Sequence, residues 1–213
     1  MTDTATAIAA ALQPRDAAAH LEELLGRSAR EPIAGHEHAG ASRFVEVVGP
    51  HLRVRGRLRL GHYRRLTDMV NSREGLLRIT DAVVLGADDE PGRVLVPDLW
   101  VAQSEVTLIA DLDGAHAPGA SPDMHIAKES SGLVLVTPGH LVTGSVHIPT
   151  GADLAVFIES PAPAFVPMTE VDARSLAGTG RVRAQYLFAL VNRRHLVAVT
   201  AMPGLADEVS WLP

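Results

Sequence analysis

The sequence predicts a mainly β (α+β) fold with two related small β-barrel or curved-sheet units. Each unit has one short helix, the two pack as an internal pseudo-dimer, and an N-terminal helix precedes them. Three observations lead to this prediction: the 213-residue chain resembles itself at a fixed offset, apolar residues alternate with polar ones, and only 4% of residues are aromatic. The core must therefore consist mainly of Val, Leu, Ile and Ala. Its expected bulky anchors are Phe44, Trp100, Phe157, Phe165, Phe188 and Trp211.

The self-similarity is seen when the stretch from Arg43 is laid over the stretch from Ser131, an offset of 131 − 43 = 88. The matched pairs include Val45 with Leu133, Val47 with Leu135, Pro50 with Pro138, Gly56 with Gly144, Leu66 with Leu154 and Val70 with Ile158. After a one-residue gap, "LLRITDA" (76–82) falls on "FVPMTEV" (165–171). Closing the gap sets "WVAQSEVTLIA" (100–110) on "FALVNRRHLVA" (188–198). We interpret the chain as a tandem repeat.

This interpretation divides the chain into segments. They are an N-terminal helix and flexible tether (1–43), a first β-rich repeat (44–111), a linker (112–131), a second β-rich repeat (132–201) and a C-terminal tail (202–213). The linker is assigned from its content of Gly, Pro and Asp. Two small units gain stability by burying a face against each other, and this favours the internal pseudo-dimer.

Each repeat is predicted to contain two strands, a helix and three further strands. In the first repeat, alternation over 45–47 and 52–60 predicts two strands around a turn, and "YRRLTDMVNS" (63–72) has helical apolar spacing. Strands follow at about 76–85, 93–103 and 106–110, with the last two joined as a hairpin. Five short strands favour a small barrel or strong curvature, because closure hides strand edges.

The N-terminal segment "PRDAAAHLEELLGR" (14–27) predicts a helix, because Pro14 suits a first turn and Gly26 suits a helix end. Its apolar face contains Leu21, Leu24 and Leu25. Two roles stay open for these leucines. They either pack on the protein's own β-rich body or form a partner-binding helix.

Several motifs of the repeats form a known pattern. The first repeat contains "GRLRLGHYRRLTDMVNS" (56–72) and "LLRITDA" (76–82), and the second contains "FALVNRRHLVAV" (188–199). In these motifs the chain resembles a tandem duplication of a small uncharacterised bacterial β-rich domain. Each repeat has only part of the pattern: "GADLAVFIES" (151–160) replaces the helix motif in the second, and "VAQSEVTLIAD" (101–111) replaces the Asn-Arg element in the first. The resemblance implies a fold and no activity.

Arginine occupies alternate positions in "HLRVRGRLRLGHYRRL" (51–66). The residues are Arg53, Arg55, Arg57 and Arg59, followed by Arg64 and Arg65. A strand sets the first four on one face about 6.6 Å apart, so they repel unless acids or an anion lie among them. The second repeat has Leu141, Thr143, Ser145 and His147 instead, so the fold does not require arginine. The face is either paired with neighbouring Asp and Glu or open to an anionic partner.

The other titratable residues form no catalytic or metal signature. Asp81 and Glu170 follow a Thr in both repeats, and we interpret them as strand-end carboxylates that accept from turn amides. We therefore predict no catalytic residue, no metal site and no cofactor. The histidines that invite a zinc hypothesis lie in the predicted tether and linker, where solvated side chains are more common: His36, His38, His116 and His125.

Composition limits the setting of the protein. The chain has no cysteine, which excludes disulfides and thiolate ligands. The first basic residue is Arg15, so a secretory signal is not predicted, and no apolar run reaches the roughly 18 residues of a membrane span. We expect a cytoplasmic protein without a membrane partner. A net charge of −6 argues against nucleic-acid binding by the whole surface and leaves a local basic patch open.

These features favour a non-enzymatic protein-interaction or assembly module, such as an accessory subunit of a larger complex. Its partner would be another protein or a second copy of the chain. The first alternative is nucleic-acid or anionic-ligand binding through the arginine-faced strand. The second alternative is an enzyme with a site between the two repeats.

Overall fold

The computed structural model describes residues 41–72, 74–85, 94–114, 127–176 and 183–202. The predicted N-terminal helix, most of the tether, much of the linker and most of the C-terminal tail lie outside these ranges. In the first half the elements are β1 (Ser42–Val48), β2 (Arg53–Arg59), α1 (Leu66–Asn71), β3 (Leu76–Leu85), β4 (Val94–Ala102), a 3-10 turn (Gln103–Glu105) and β5 (Leu108–Asp111). In the second half they are β6 (Lys128–Val136), β7 (His140–Pro149), α2 (Leu154–Glu159), β8 (Phe165–Ser175), β9 (Arg183–Asn192), a 3-10 turn (Arg193–His195) and β10 (Ala198–Ala201).

All ten described strands form one antiparallel sheet in the order β10-β6-β7-β8-β9-β5-β1-β2-β3-β4. The prediction of a mainly β fold is confirmed. The barrel alternative is wrong, because the sheet is open and β4 and β10 lie at its two ends. The physical reason is that β5 pairs with β9 of the other half, at 108–110 and 189–191, and does not return to its own β4. Each half covers one edge of the other.

The predicted hairpin between the last two strands of the first repeat is also wrong. A 3-10 turn follows β4, and β5 then runs beside β1, where Val48 lies opposite Leu108. In the second half β10 runs beside β6 in the same way. The side chain of Asn192 begins the second 3-10 turn by accepting a hydrogen bond from the backbone N of Arg194. These turns redirect the chain across each half-sheet.

Both halves have the same order of elements: two strands, a helix, two strands, a 3-10 turn and a strand. The matched Gly56 and Gly144 on the second strands differ by 88, whereas the 3-10 turns begin at Gln103 and Arg193, a difference of 193 − 103 = 90. The offset predicted for the last strands is therefore two residues too small. Descent of the halves from one ancestral unit and their description as a pseudo-dimer remain predictions.

Each half packs an apolar core, and the two cores exchange residues along the pairing of β5 with β9. The buried side chains Leu66, Met69 and Val70 join α1 to the first core, which explains the helical spacing of these residues. That core also contains Phe165 and Leu190 of the second half. The second core contains three residues of the first half: Val48, Leu108 and Ala110.

A β-bulge interrupts the pairing of the second and third strands in both halves. The register shifts at Gly56 between β2 and β3, and at Gly144 between β7 and β8. Asp81 and Glu170 lie beside these shifts with φ angles of 51° and 53°, in the left-handed region. The two acids thus lie inside strands and not at strand ends. Their shared feature is a backbone conformation.

Gly56 has no space for a side chain, since a Cβ atom there would lie 2.5 Å from Cγ2 of Ile79 and 2.8 Å from the backbone O of Thr80. We expect Gly56→Ala to lower the free energy of unfolding by about 1–3 kcal/mol, the usual cost of overpacking a core. Urea denaturation measures this loss. Gly139→Ala is the matched control, because its Cβ would meet no atom nearer than 3.5 Å. Equal losses in the two variants would contradict the steric explanation.

Candidate anion-binding face

The four arginines of β2 lie on the sheet face that is turned away from the first core. Between them, Val54, Gly56 and Leu58 are buried, so the predicted alternation of this strand is confirmed. The surroundings of the arginines differ along the strand. They separate the six predicted residues into a pair bound to an acid, a pair on the open surface and a pair in the following turn.

Arg53 and Arg55 both form ion pairs with Glu46. This carboxylate on β1 is fully buried and lies opposite Arg55 in the sheet. The Nε atom of Arg55 donates to Oε2 of Glu46 at 2.8 Å, and Nε of Arg53 donates to Oε1. A buried carboxylate requires such compensation, because removing its charge from water costs several kcal/mol. These two arginines therefore serve the fold.

Two side chains of the second half complete this charged cluster. The pKa of the Tyr186 hydroxyl is raised, first by burial and then by the charge of Glu46, to which the hydroxyl is hydrogen-bonded. The pKa of His140 is lowered by burial and by the charge of Arg53. Its Nδ1 atom is buried without a hydrogen-bond partner in the described part of the chain. The cluster is a closed contact between the two halves.

Arg57 and Arg59 have different surroundings, because both are exposed. In the described ranges no carboxylate lies within ion-pair distance of either guanidinium. On the next strand Thr80 lies opposite Arg57, and the register brings Arg59 beside Arg78. The two arginines thus face a neighbouring strand that adds a third positive charge.

Arg78 connects these arginines to β4. Its Nη2 atom donates to Oδ1 of Asp98 at 2.7 Å, and its Cζ atom lies 5.6 Å from the centroid of the Trp100 ring. The pKa of Asp98 is lowered, chiefly by the hydrogen bond from Arg78, with a contribution from the charge of Arg59. We call Arg57, Arg59, Arg78, Asp98 and Trp100 the basic face. Its three arginines and one acid carry a net charge of 3 − 1 = +2.

Trp100 is 47% exposed, so its assignment as a core anchor is wrong. The alternation of β4 directs Leu99 and Val101 to the first core and Trp100 to the opposite face. The sequence reasoning also missed Arg78 as a site residue. Its position in the alternating stretch "LLRITDA" was a usable signal for its face, but the strand beside it was not predictable from period alone.

Arg64 and Arg65 lie in the turn that leads into α1, and both are exposed. Arg65 stands at the N-cap position of α1 without a capping hydrogen bond from its side chain. Tyr63 packs against the first core and the ring of His62. Arg64 and Arg65 thus lie outside the strands β2, β3 and β4 that present the basic face.

The corresponding strand of the second half contains no arginine or lysine. Ser145 is buried, and Nε2 of His147 lies 2.9 Å from Oγ1 of Thr169. Arg174 and Arg183, which lie further along β8 and β9, are both paired with Asp172. The unpaired arginines of the described sheet thus belong to the first half.

The helix residues Leu21, Leu24 and Leu25 lie outside the described residues, as do the histidines of the predicted tether and linker. Within the described residues, no group of three His, Asp or Glu side chains has a geometry that would hold a metal ion. No helix in this part of the chain is both long and apolar enough to cross a membrane. No family model, curated protein or solved structure matches the chain.

The buried cluster gives a stability prediction. We expect Glu46→Gln to lower the free energy of unfolding by about 3 kcal/mol, because Arg53 and Arg55 would face each other without a carboxylate. Chemical denaturation followed by circular dichroism measures the change. Asp98→Asn is the control, since that ion pair is exposed and solvent weakens it. A loss no greater than that of the control would contradict the role given to Glu46.

The lowered pKa of His140 gives a pH prediction. Below the ordinary histidine pKa near 6.5, the unfolded chain binds the proton more readily than the fold does. The contribution of neutral His140 to stability is therefore present above this pH and is lost as the pH falls. From about pH 7.5 to about pH 5, the unfolding free energy should fall more steeply for the natural protein than for His140→Asn. Parallel profiles would show that His140 is not responsible.

Proposed function

We propose that this protein is a non-enzymatic interaction module that binds an acidic protein partner through the basic face. The observation that supports the proposal is that only two of the four arginines on β2 are paired with a carboxylate in the described ranges. Glu46 pairs with Arg53 and Arg55, whereas Arg57 and Arg59 are exposed and have no carboxylate within ion-pair distance in the described ranges. Like charges so close together favour an anion between them.

The chemistry of the face suits carboxylates. A guanidinium donates two parallel hydrogen bonds to one carboxylate, and the strand presents Arg57 and Arg59 on the same side. Trp100 adds half-exposed ring area next to Arg78. Arginine and tryptophan are among the residues that contribute most to protein interfaces. An acidic segment with an apolar residue fits this combination.

Nucleic acid is the second candidate, because Trp100 offers a ring for base stacking beside arginines. The net charge of −6 on the chain opposes long-range attraction of a polyanion. The face is also small, with one exposed ring and three arginines. These features favour a protein partner over a nucleic acid.

An enzyme would need available reactive groups between the halves. The titratable cluster described there has its carboxylate occupied, since Glu46 accepts hydrogen bonds from Arg53, Arg55 and Tyr186. This arrangement supports a binding role. The setting that we propose is the cytoplasm, and a contact through Leu21, Leu24 and Leu25 stays a hypothesis beside the basic face.

The test is a fluorescence anisotropy titration with two labelled probes, poly-L-glutamate and a single-stranded oligonucleotide. The variant Arg57→Ser with Arg59→His places the side chains of Ser145 and His147 on β2, which the second half already accommodates. The control variant Arg174→Ser with Arg183→Ser removes the same charge from arginines that are already paired with Asp172. We expect poly-L-glutamate binding to weaken at least about tenfold in the first variant and about twofold or less in the control.

Each other result has a defined meaning. Equal weakening in both variants would show that net charge acts alone and would overturn the assignment to the basic face. Stronger binding of the oligonucleotide would favour the nucleic-acid candidate. With three arginines on phosphates, its affinity should fall roughly twentyfold between about 50 and about 200 mM salt. Binding of neither probe would reject the proposal.

A further inference from the structure

The described sheet ends in two edges without a partner strand, β4 and β10. β10 is exposed along most of its length, and Val197 just before it is 68% exposed. β4 exposes Val94, Leu95 and Trp100 by 58%, 73% and 47%. Unpaired strand edges with exposed apolar side chains are templates for pairing with another chain.

β10 has in the second half the position that β5 has in the first. Val197 N donates to Val136 O, as Thr107 N donates to Val48 O, and each bond fixes a last strand beside the first strand of its half. β4 and β9 also correspond, because each precedes a 3-10 turn. The structure thus contains one complete junction, β5 with β9, and the two unpaired strands that would form a second.

The complete junction closes the first core, since Leu190 lies opposite Ile109 and is buried there. The second core has an apolar recess at the corresponding place. Residues that line it include Leu135, Phe157, Ile158, Arg193, Leu196 and Val199. Phe157 and Val199 are partly exposed, while their counterparts Met69 and Ile109 are buried. The recess is therefore a part of the second core that no residue of the described chain covers.

The polar wall of the recess is also incomplete. Nη1 of Arg193 donates to the backbone O of Ile158 at 2.8 Å, as Nε2 of Gln103 donates to the backbone O of Val70 in the first half. Nε and Nη2 of Arg193 are buried without a hydrogen-bond partner in the described ranges. The second half therefore repeats the side-chain contact of the first half with its helix, but its recess lacks the strand that covers the first core.

We propose that a second copy of this chain covers the recess: its β4 pairs with β10 in the register of the complete junction, and its Trp100 packs into the recess. In the last two strands of each half, corresponding residues differ by 90, so 190 − 90 = 100 and 109 + 90 = 199. Trp100 thus stands opposite Val199 as Leu190 stands opposite Ile109. Pro97, which has no backbone N–H to donate, lies outside the paired positions 99–101.

The two contacting surfaces are different and lie on every copy, so the association is head to tail and forms a closed ring or a filament. It is weaker than the junction within the chain. There, Nδ2 of Asn192 donates to the backbone O atoms of Gln103 and Val106, whereas β4 has Ala102 at the corresponding position. Assembly should therefore depend on concentration.

Sedimentation velocity of the full chain over a range of concentrations tests the association. Trp100→Ser should raise the dissociation constant at least about tenfold, the effect expected of a buried interface anchor. Leu187→Ser is the matched control, because Leu187 is 74% exposed on β9, away from both edges, and it should change the constant about twofold or less. A chain that stays monomeric at all concentrations overturns the proposal. It would mean that other residues of the same chain, or another partner, cover the recess.

Cysteine pairing tests the register, and the natural chain has no cysteine to interfere. Continuing the register places Asp98 of one copy opposite Ala201 of the next, since 98 + 201 = 299, as 190 + 109 = 299 in the complete junction. Asp98→Cys and Ala201→Cys proteins are mixed under oxidising conditions, because Cα atoms of opposed strand residues lie within disulfide range. The mixed 98–201 disulfide should dominate. An excess of 98–98 or 201–201 dimers overturns the head-to-tail arrangement.

This inference is drawn from the sheet edges and not from the arginines of β2, but Trp100 belongs to both surfaces, so the two contacts would compete for it. Arg57→Ser with Arg59→His should leave the self-association constant unchanged, because neither residue lies on β4 or β10. A loss of self-association in that variant would place the contact on Arg57 and Arg59 of β2 and would overturn the edge-to-edge assignment.

Discussion

The pairing of β5 with β9 is the constraint on which the other features depend. It joins the two half-sheets through backbone hydrogen bonds, and on opposite faces it delivers Leu190 to the first core and Leu108 to the second. Asn71 strengthens it by exchanging two hydrogen bonds with the backbone of Phe165, at 2.9 and 2.8 Å. Because each core is completed by residues from the other half, neither half has a complete apolar interior by itself.

The same pairing explains the different surroundings of the arginines on β2. It brings Tyr186 of the second half next to Glu46 and His140 next to Arg53, and Glu46 lies out of contact with water. A carboxylate in that position needs nearby cations, which Arg53 and Arg55 supply. Further along the strand, no carboxylate of the described residues lies within ion-pair distance of Arg57 or Arg59. The alternating arginines of β2 therefore include two that pair with a buried acid and two that are exposed to solvent.

Period-two alternation was sufficient to predict the strands and the buried positions of β2, and the offset of 88 was sufficient to match Gly56 with Gly144. Alternation was not sufficient for the neighbours of each strand, because it assigns a residue to a face and leaves its partner strand open. For this reason the β4–β5 hairpin was predicted wrongly and Arg78 was missed. The offset of 88 failed for the last strands because the alignment closed its one-residue gap there. In the structure, the corresponding 3-10 turns before these strands lie 90 residues apart. The exposure of Trp100 depends on tertiary structure, because β4 is an edge strand whereas the corresponding β9 pairs with β5.

The junction also limits how the two halves can differ in sequence. Phe188 and Leu190 lie on the outer face of β9, and both pack against the first core, so that face must stay apolar. Their counterparts on β4 are Asp98 and Trp100, since 188 − 90 = 98 and 190 − 90 = 100. β4 is an edge strand, and in the described chain no apolar core packs against the face that contains Asp98 and Trp100. A charged side chain is therefore tolerated at position 98. The binding surface that we propose therefore uses positions of the first half at which the fold does not require apolar side chains.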